Sequence, residues 1–183
     1  MTDNPSPEAR GRVAIPALVI GGIGIIRNLG EEGVPIYAGS DVPRNHIFHS
    51  RYVRKRVMFS GFTGPKFIEE LIALSRAEGR KLMFFSDDDR AILTFSQHQD
   101  ELREYYHFNV PPAETVDAVL DKRKFSVLAQ ELGLPVPWSF TPTSMEELKR
   151  EIGRITYPCI IKPAHKEDWW APKFREVLGP YRK

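Results

Sequence analysis

A strand–turn–helix–strand pattern in residues 13–38 limits the fold more than any other feature of the chain. Residues 13–21 read VAIPALVIG, a nearly continuous apolar run that ends in glycine, as buried parallel strands do. Residues 23–32 carry apolar side chains at helical spacing and are followed by Gly33, a typical C-cap residue. Residues 35–38 (PIYA) then favour a second short strand. Two strands joined through a helix must lie parallel with a right-handed crossover, so the pattern predicts an α/β domain on a parallel sheet.

The same alternation continues up to the proline pair at 111–112. The further predicted elements are an edge strand or loop at 52–59, a helix at 65–77, a strand at 81–85, a helix over 90–105 and a short strand at 108–110. This order predicts an open, doubly wound, Rossmann-like domain over residues 13–112. Residues 1–12 are polar and lack the apolar core of a signal peptide, so they are expected to be a disordered lead-in.

A second, smaller domain is predicted after the proline pair. Residues 121–132 form a strong amphipathic helix with Gly133 as its stop, and Ser144 with Glu147 forms a capping box for another helix. Short strands are expected at 138–141 and 157–162. These elements predict an α+β lobe over residues 113–164. The periodicity is lost from residue 165 onward, and 165–183 is expected to be a truncated or mobile tail.

Composition narrows the functional classes. The net charge of +2 is too small to predict a nucleic-acid partner. No apolar run approaches the ~18 residues of a transmembrane helix, which argues against a membrane protein. Cys159 is the only cysteine, so no internal disulfide can form, and a cytoplasmic location is expected.

One local cluster is strongly basic. It contains Arg44, Arg51, Arg54, Lys55 and Arg56, together with His46 and His49. A solvated strand and loop is the favoured interpretation, and contact with phosphates or acidic substrates is the alternative.

The glycine turn after the first strand is the first candidate site. Gly21, Gly22 and Gly24 stand where glycines allow a ligand to approach a helix N-terminus, whose free N–H groups favour anions. Asp41 lies shortly after the second strand, where dinucleotide enzymes keep an acidic residue. Arg27 occupies the position of the third glycine in the dinucleotide motif, which argues against that function. A small-ligand or interface loop, a structural turn and a dinucleotide site all stay open.

The acidic run Ser86 to Asp89 is the second candidate, because it follows a buried strand at the edge where open α/β sheets bind ligands. Asp87 and Asp88 are assigned to a substrate or interface loop. Three carboxylates could hold a metal, but helix capping is the favoured interpretation.

Two lysines complete the candidates. Lys122 follows Asp121 at the head of a helix, and Lys162 ends an apolar strand. Together they could hold a polyphosphate as paired point charges, although each alone is more typical of an ordinary surface lysine.

Taken together, these segments resemble the ATP-grasp superfamily, in particular the carboxylate–amine ligase branch, which is similar to D-aspartate ligase. The matching stretches are PALVIGGIGIIRNLGEEGVPIYAGS (16–40), HSRYVRK (49–55), FFSDDD (84–89), LDKRKFSVLAQELGLPVP (120–137) and YPCIIKPA (157–164). The resemblance runs from the N-terminus to about residue 175, and its last two stretches are the most specific.

The resemblance implies a pre-ATP-grasp domain at 13–112 and the N-terminal lobe of an ATP-grasp domain at 113–164. It implies ATP and Mg²⁺ as cofactors, with Lys122 and Lys162 binding the ATP phosphates. The implied reaction activates a small-molecule carboxylate as an acyl phosphate, which an amine then attacks. It assigns no catalytic residue and no metal ligand within this chain.

The family pattern continues beyond this sequence with the adenine pocket and the magnesium ligands. The expectation is therefore a truncated chain, or one that a second polypeptide completes, which is inactive alone and prone to self-association. A dinucleotide-binding oxidoreductase domain and a non-catalytic interaction module are the alternatives.

Overall fold

The computed structural model describes residues 14–161. The chain divides into two compact units, with the boundary between Ala113 and Glu114. The lead-in predicted at 1–12, Lys162 and the tail predicted at 165–183 lie outside the described residues.

The first unit is built on a five-stranded sheet in the order β3-β2-β1-β4-β5, and all its strand pairs are parallel. The strands are β1 (Ala17–Ile20), β2 (Ile36–Ser40), β3 (Val53–Met58), β4 (Leu82–Ser86) and β5 (Tyr106–His107). The predicted parallel, Rossmann-like α/β fold is therefore confirmed.

Helices connect these strands. In the first unit they are α1 (Ile23–Glu31), a 3-10 helix (His46–His49), α2 (Gly64–Glu78), α3 (Asp89–Gln97) and α4 (Gln99–Leu102). No helix within residues 14–161 is long and apolar enough to cross a membrane.

The central strand β1 explains the apolar run from which the fold was predicted. All four of its side chains are fully buried, because the sheet carries an apolar cluster on each face. Leu18 and Ile20 pack in the cluster with α2 and α3, whereas Ala17 and Val19 pack in the cluster with α1 and the 3-10 helix. A strand that is buried on both faces has no room for the polar alternation of an amphipathic strand.

Strand β3 settles the ambiguity at 52–59. It is a true strand at the edge of the sheet, and it pairs with β2. Its central residues Arg54, Lys55 and Arg56 are exposed. Charged side chains on an edge strand oppose further strand pairing, which accounts for their presence in a strand.

Two boundaries in the first unit differ from the sequence prediction. The helix expected over 90–105 is interrupted at His98, whose backbone leaves the helical region (φ −120°, ψ 18°). The last strand is Tyr106–His107 instead of 108–110, because pairing with Leu82 and Met83 selects those residues. Phe108 instead packs edge-on against Phe95, with 4.9 Å between ring centroids.

Two helices of the second unit start where the sequence signals predicted them. Helix α5 (Ala113–Leu120), which begins at the unit boundary, was not predicted; α6 (Lys122–Glu131) and α7 (Met145–Glu151) were. Asp121 caps α6 by accepting from the N–H groups of its second and third residues. Ser144 caps α7 through the Glu147 N–H, and the Glu147 carboxylate turns back to accept from the Thr143 N–H at 2.8 Å.

The strand predicted at 138–141 is not formed, and the described part of 157–162 is not a strand either. A strand needs a hydrogen-bonded neighbour, and no part of residues 114–161 supplies one. Ile160 and Ile161 are consequently 80% and 69% exposed. The strand predictions for this stretch are wrong within the described residues.

Candidate functional site

Three of the loops that contain predicted site residues lie at the carboxyl edge of the sheet. In a parallel sheet all strands end at one edge, so the residues that follow β1, β2 and β4 meet there. The chain reverses its direction across the sheet between β1 and β4, and ligands of open α/β sheets bind at such a reversal. The site therefore contains Gly21 and Gly22 after β1, Asp41 after β2, and Asp87 and Asp88 after β4.

The glycine turn is closed by Asp87. The Gly22 N–H donates to Asp87 Oδ1 at 2.7 Å, and the Asp87 N–H donates to the Ile20 carbonyl at 3.2 Å. Gly21 has φ +133°, and a Cβ there would lie 1.6 Å from Asp87 Oδ1. A Cβ on Gly22 would lie 2.7 Å from Asp87 Oδ2. Both glycines are therefore required for this carboxylate to reach the backbone.

This contact gives the start of α1 an internal anion. Gly22 is the N-cap of α1 and has no side chain to cap the helix. The free N–H groups and the dipole of a helix N-terminus favour negative charge, and the Asp87 carboxylate lies beside them. A dinucleotide pyrophosphate at this turn would meet that carboxylate, which argues further against a dinucleotide site.

A second set of contacts joins Asp88, Arg90 and Asp41. Asp88 caps α3 by accepting from the N–H groups of Arg90 and Ala91 at 3.0 and 3.1 Å. The Arg90 guanidinium donates to Asp88 Oδ2 at 3.0 Å and to Asp41 Oδ2 at 3.1 Å. It also lies 5.1 Å from the centroid of the Phe62 ring. One arginine thus ties the loops after β2 and β4 together.

These contacts determine the charge state of Asp88. Its partial burial acts to raise the pKa, but the hydrogen bonds from the Arg90 guanidinium and from the backbone N–H groups outweigh burial and lower it. The same pairing raises the pKa of Arg90. Asp88 is therefore an ionised helix cap, as the favoured interpretation of the acidic run predicted.

The predicted site residues of these loops fall into two separate sets of contacts. Gly21, Gly22 and Asp87 are in direct contact, whereas Asp88 belongs to the Arg90 set. Gly24 is exposed, and a Cβ there would meet nothing within 4 Å. Within residues 14–161, no group of three or more His, Cys, Asp or Glu side chains is arranged to hold a metal ion.

Sequence reasoning missed Arg90 and Phe62. Arg90 stands two residues after a helix-capping aspartate, a local signal for an ion pair with Asp88. Its bond to Asp41 joins residues 49 positions apart, and no sequence pattern announces it.

Lys122, predicted to bind phosphate, is the first residue of α6. The helix start is held by Asp121, whose side chain is buried. Burial acts to raise the pKa of Asp121, but the backbone N–H groups of Arg123 and Lys124 lower it below its usual value. The Lys122 carbonyl accepts from Ser126 Oγ at 2.9 Å, so its backbone is fixed within the first turn. Its predicted partner Lys162 lies outside the described residues.

Solved structures share this fold. The chain aligns with an L-amino acid ligase from Bacillus licheniformis at a TM-score of 0.58 and 15% identity, over 82% of this chain and 36% of that one. An N5-carboxyaminoimidazole ribonucleotide synthetase from Thermus thermophilus aligns at 0.54 and 18% identity, over 89% and 44%. The biotin carboxylase domain of a single-chain bacterial carboxylase aligns at 0.51 and 20% identity, over 88% and 39%.

The chain resembles the ATP-grasp superfamily. Sequence comparison agrees with this resemblance. The carbamoyl phosphate synthase large chain of Hyperthermus butylicus is 27% identical over 139 residues, which is 75% of this chain. The formate-dependent phosphoribosylglycinamide formyltransferase of Bifidobacterium longum is 43% identical over 56 residues, which is 30% of this chain. No family model matches.

The chain spans less than half the length of each of these proteins. The chain spans 13% and 14% of the two curated relatives, and 36% to 44% of the three solved structures. Structural identities of 15% to 20% establish the fold, and the activity is argued separately below.

Proposed function

We propose that this chain is part of an ATP-dependent carboxylate–amine ligase. The observation that carries the proposal is the parallel-sheet fold, which the chain shares with an L-amino acid ligase and a ribonucleotide synthetase. The D-K pair at the head of α6 supports it, because that stretch is among the most specific in the sequence resemblance.

In the proposed reaction, ATP supplies a phosphoryl group to a substrate carboxylate and ADP leaves. The nitrogen of an amine then attacks the acyl carbon, an amide bond forms and inorganic phosphate is released. Proteins accelerate such transfers mainly by positioning the reactants and neutralising charge. We assign Lys122 and Lys162 to the ATP phosphates, where an ammonium group acts as a compact point charge. No magnesium ligand is assigned within residues 14–161.

The carboxyl edge of the first unit is the proposed substrate or interface loop, formed by Gly21, Gly22, Gly24, Asp87 and Asp88. Asp87 is exposed although one of its oxygens accepts from Gly22. Its other oxygen offers an acceptor for a protonated amine. Asp88 has its carboxylate engaged by Arg90 and positions the loop.

Calorimetric titration of the full chain with ATP and Mg²⁺ tests the proposal. Saturable binding is expected, and Lys122→Ala and Lys162→Ala should each weaken it about ten- to a hundredfold, because each removes a charge-assisted contact to phosphate. Lys149→Ala removes the same charge from the exposed face of α7 and should leave the affinity unchanged.

Three outcomes would contradict the assignment. Equal affinity of the wild type and the Lys122→Ala/Lys162→Ala double variant would remove both lysines from the site. Binding of NAD(H) in place of ATP would favour the dinucleotide-binding alternative. Binding of neither nucleotide would favour a non-catalytic interaction module.

A further inference from the structure

A groove of about 640 Å³ lies along helix α1, within the first unit. Its α1 wall is made by Ile23, Arg27 and Glu31, which are spaced four residues apart and so share one helix face. Its opposite wall is the segment 46–52, which contains the 3-10 helix. This volume lies within the ~300–1,000 Å³ that is usual for small-molecule pockets.

One end of the groove is held in place by a glycine contact. A Cβ on Gly30 would lie 2.4 Å from the Tyr52 ring, so only glycine at this point of α1 lets the ring approach the helix. The Arg51 guanidinium lies 4.8 Å from the centre of the Tyr52 ring, and it donates to the Tyr52 hydroxyl at 2.6 Å. The aromatic wall and the neighbouring arginine are therefore positioned before any ligand binds.

The charges along the groove are unequal. At the Tyr52 end, donation to the tyrosine oxygen raises the pKa of Arg51, and the nearby Glu31 carboxylate acts in the same direction. Arg51 and Glu31 carry opposite charges, so together they add no net charge to the groove. Arg27, His46 and His49 line the rest of the groove, and none of them forms an ion pair with another residue of 14–161. With two arginines and one glutamate in its lining, the groove carries an excess of positive charge.

We propose that this groove binds a small organic oxyanion, a carboxylate or a phosphate. The guanidinium of Arg27 and the imidazoles of His46 and His49 hold its charged group, since a guanidinium fork matches two oxygens of either anion. The apolar part of the ligand packs on Ile23 and Tyr52. This site is separate from the glycine turn, where the Gly22 N–H already binds Asp87.

Two aromatic probes test the proposal and separate the two anion types. The full chain is titrated with phenyl phosphate and with benzoate at constant ionic strength, and binding is followed by amide chemical shifts. Saturable shifts are expected in α1 and in residues 46–52. Arg27→Gln should weaken the bound probe about tenfold or more. Arg44→Gln removes the same charge from an exposed position that does not line the groove, and it should leave the affinity within about twofold.

A second variant tests the shape of the groove at constant charge. Gly30→Ala displaces the Tyr52 ring and should weaken the probe while the circular dichroism of the chain stays native. Tighter binding of phenyl phosphate would identify a phosphorylated ligand, and tighter binding of benzoate a carboxylate ligand.

Three results would overturn the proposal. They are equal weakening by Arg27→Gln and Arg44→Gln, shifts confined to residues outside α1 and 46–52, and no saturation by either probe at millimolar concentration. The ATP titration with Lys122→Ala is an independent measurement, so failure there would leave this groove unaffected.

Discussion

The two units of this chain differ in how far their apolar residues are buried. Of the buried hydrophobic residues within 14–161, 21 belong to the first unit, and only Val116 and Ala129 belong to the second. Of the exposed large hydrophobic residues, three are in the first unit and 11 are in the second. A sheet offers two faces that helices can cover, whereas residues 114–161 of the second unit form no sheet of their own. Hydrophobic burial should therefore stabilise the first unit far more than the second.

A pair of identical substitutions tests this contrast most directly. Phe95 is fully buried and stacks on Phe84 with 3.8 Å between ring centroids, whereas Phe125 on α6 is 39% exposed. Phe95→Ala should lower the free energy of unfolding by about 3–5 kcal/mol, because it removes buried contacts and leaves a cavity. Phe125→Ala should lower it by less than about 1 kcal/mol. Urea denaturation of the full chain, followed by circular dichroism, measures both, and equal losses would contradict the comparison.

The next largest change in stability is expected at the glycines of the candidate site, where two alanine substitutions can be compared. Gly21→Ala should destabilise the chain by about 1–3 kcal/mol, since alanine at φ +133° is strained and its Cβ meets Asp87. Gly24→Ala, in an open helical position of α1, should be neutral or slightly stabilising.

The two causes at Gly21 can be separated by a double variant. In an Asp87→Ala background the clash disappears and only the backbone strain remains, so the destabilisation by Gly21→Ala should shrink. An unchanged loss in that background would mean that the clash with Asp87 does not contribute to the cost of Gly21→Ala.

The two units can also be compared through the pH dependence of the stability that their aspartate helix caps contribute. Asp88 caps α3 in the first unit and Asp121 caps α6 in the second, and the pKa of each is lowered. A lowered folded-state pKa means that the ionised cap stabilises the chain above the pKa of an unfolded aspartate, near 4. That stabilisation is lost as the pH falls through the lower folded-state pKa.

Asp88→Asn keeps a neutral cap but loses the ionic contact with Arg90. It should therefore be less stable than the wild type at pH 7, and the difference should disappear in strong acid. Asp121→Asn should reduce the hydrogen-exchange protection of α6 amides without a matching loss in the first unit. Global destabilisation by Asp121→Asn would show that the two units unfold together.

The smallest effect on stability is expected at the exposed apolar residues of the second unit. Ile160→Ser should change the free energy of unfolding by less than about 0.5 kcal/mol. Because exposed apolar surface promotes association, the same change should reduce any concentration-dependent self-association seen in sedimentation velocity. Val42→Ser, at an exposed position of the first unit, is the matched control. Stronger self-association of the Ile160→Ser chain would contradict the prediction.

Sequence patterns predicted the first unit well, because its signals are local. The apolar run at β1, the glycine turn and the amphipathic face of α1 each lie within a single strand, turn or helix. Prediction was poorer where partners decide the structure. Strand β5 starts two residues early because of its pairing with β4, and 138–141 forms no strand because it has no neighbour among the described residues.

The candidate site divides in the same way. Sequence reasoning found Gly21, Gly22 and Asp87 in two separate stretches and assigned both stretches to a substrate or interface loop. Their direct contact, across 65 positions, was not foreseen. The only sequence signal for the groove along α1 was the basic cluster, which contains Arg51, His46 and His49. The close approach of Tyr52 to Gly30, which shapes one end of the groove, could be found only from the tertiary structure.

By itself the sequence determined that this chain contains a parallel α/β domain with a glycine turn after its first strand, because hydrophobic periodicity and short crossovers act locally. Only the tertiary structure decided what lies at that turn. The register of β1 with β4 pairs Ile20 with Ser86, so the next residues, Gly21 and Asp87, come side by side. The Asp87 carboxylate therefore occupies the space at the start of α1 that the glycines leave open. Sequence alone could not show this, because strand register is set by the packing of the whole sheet and not by any one segment.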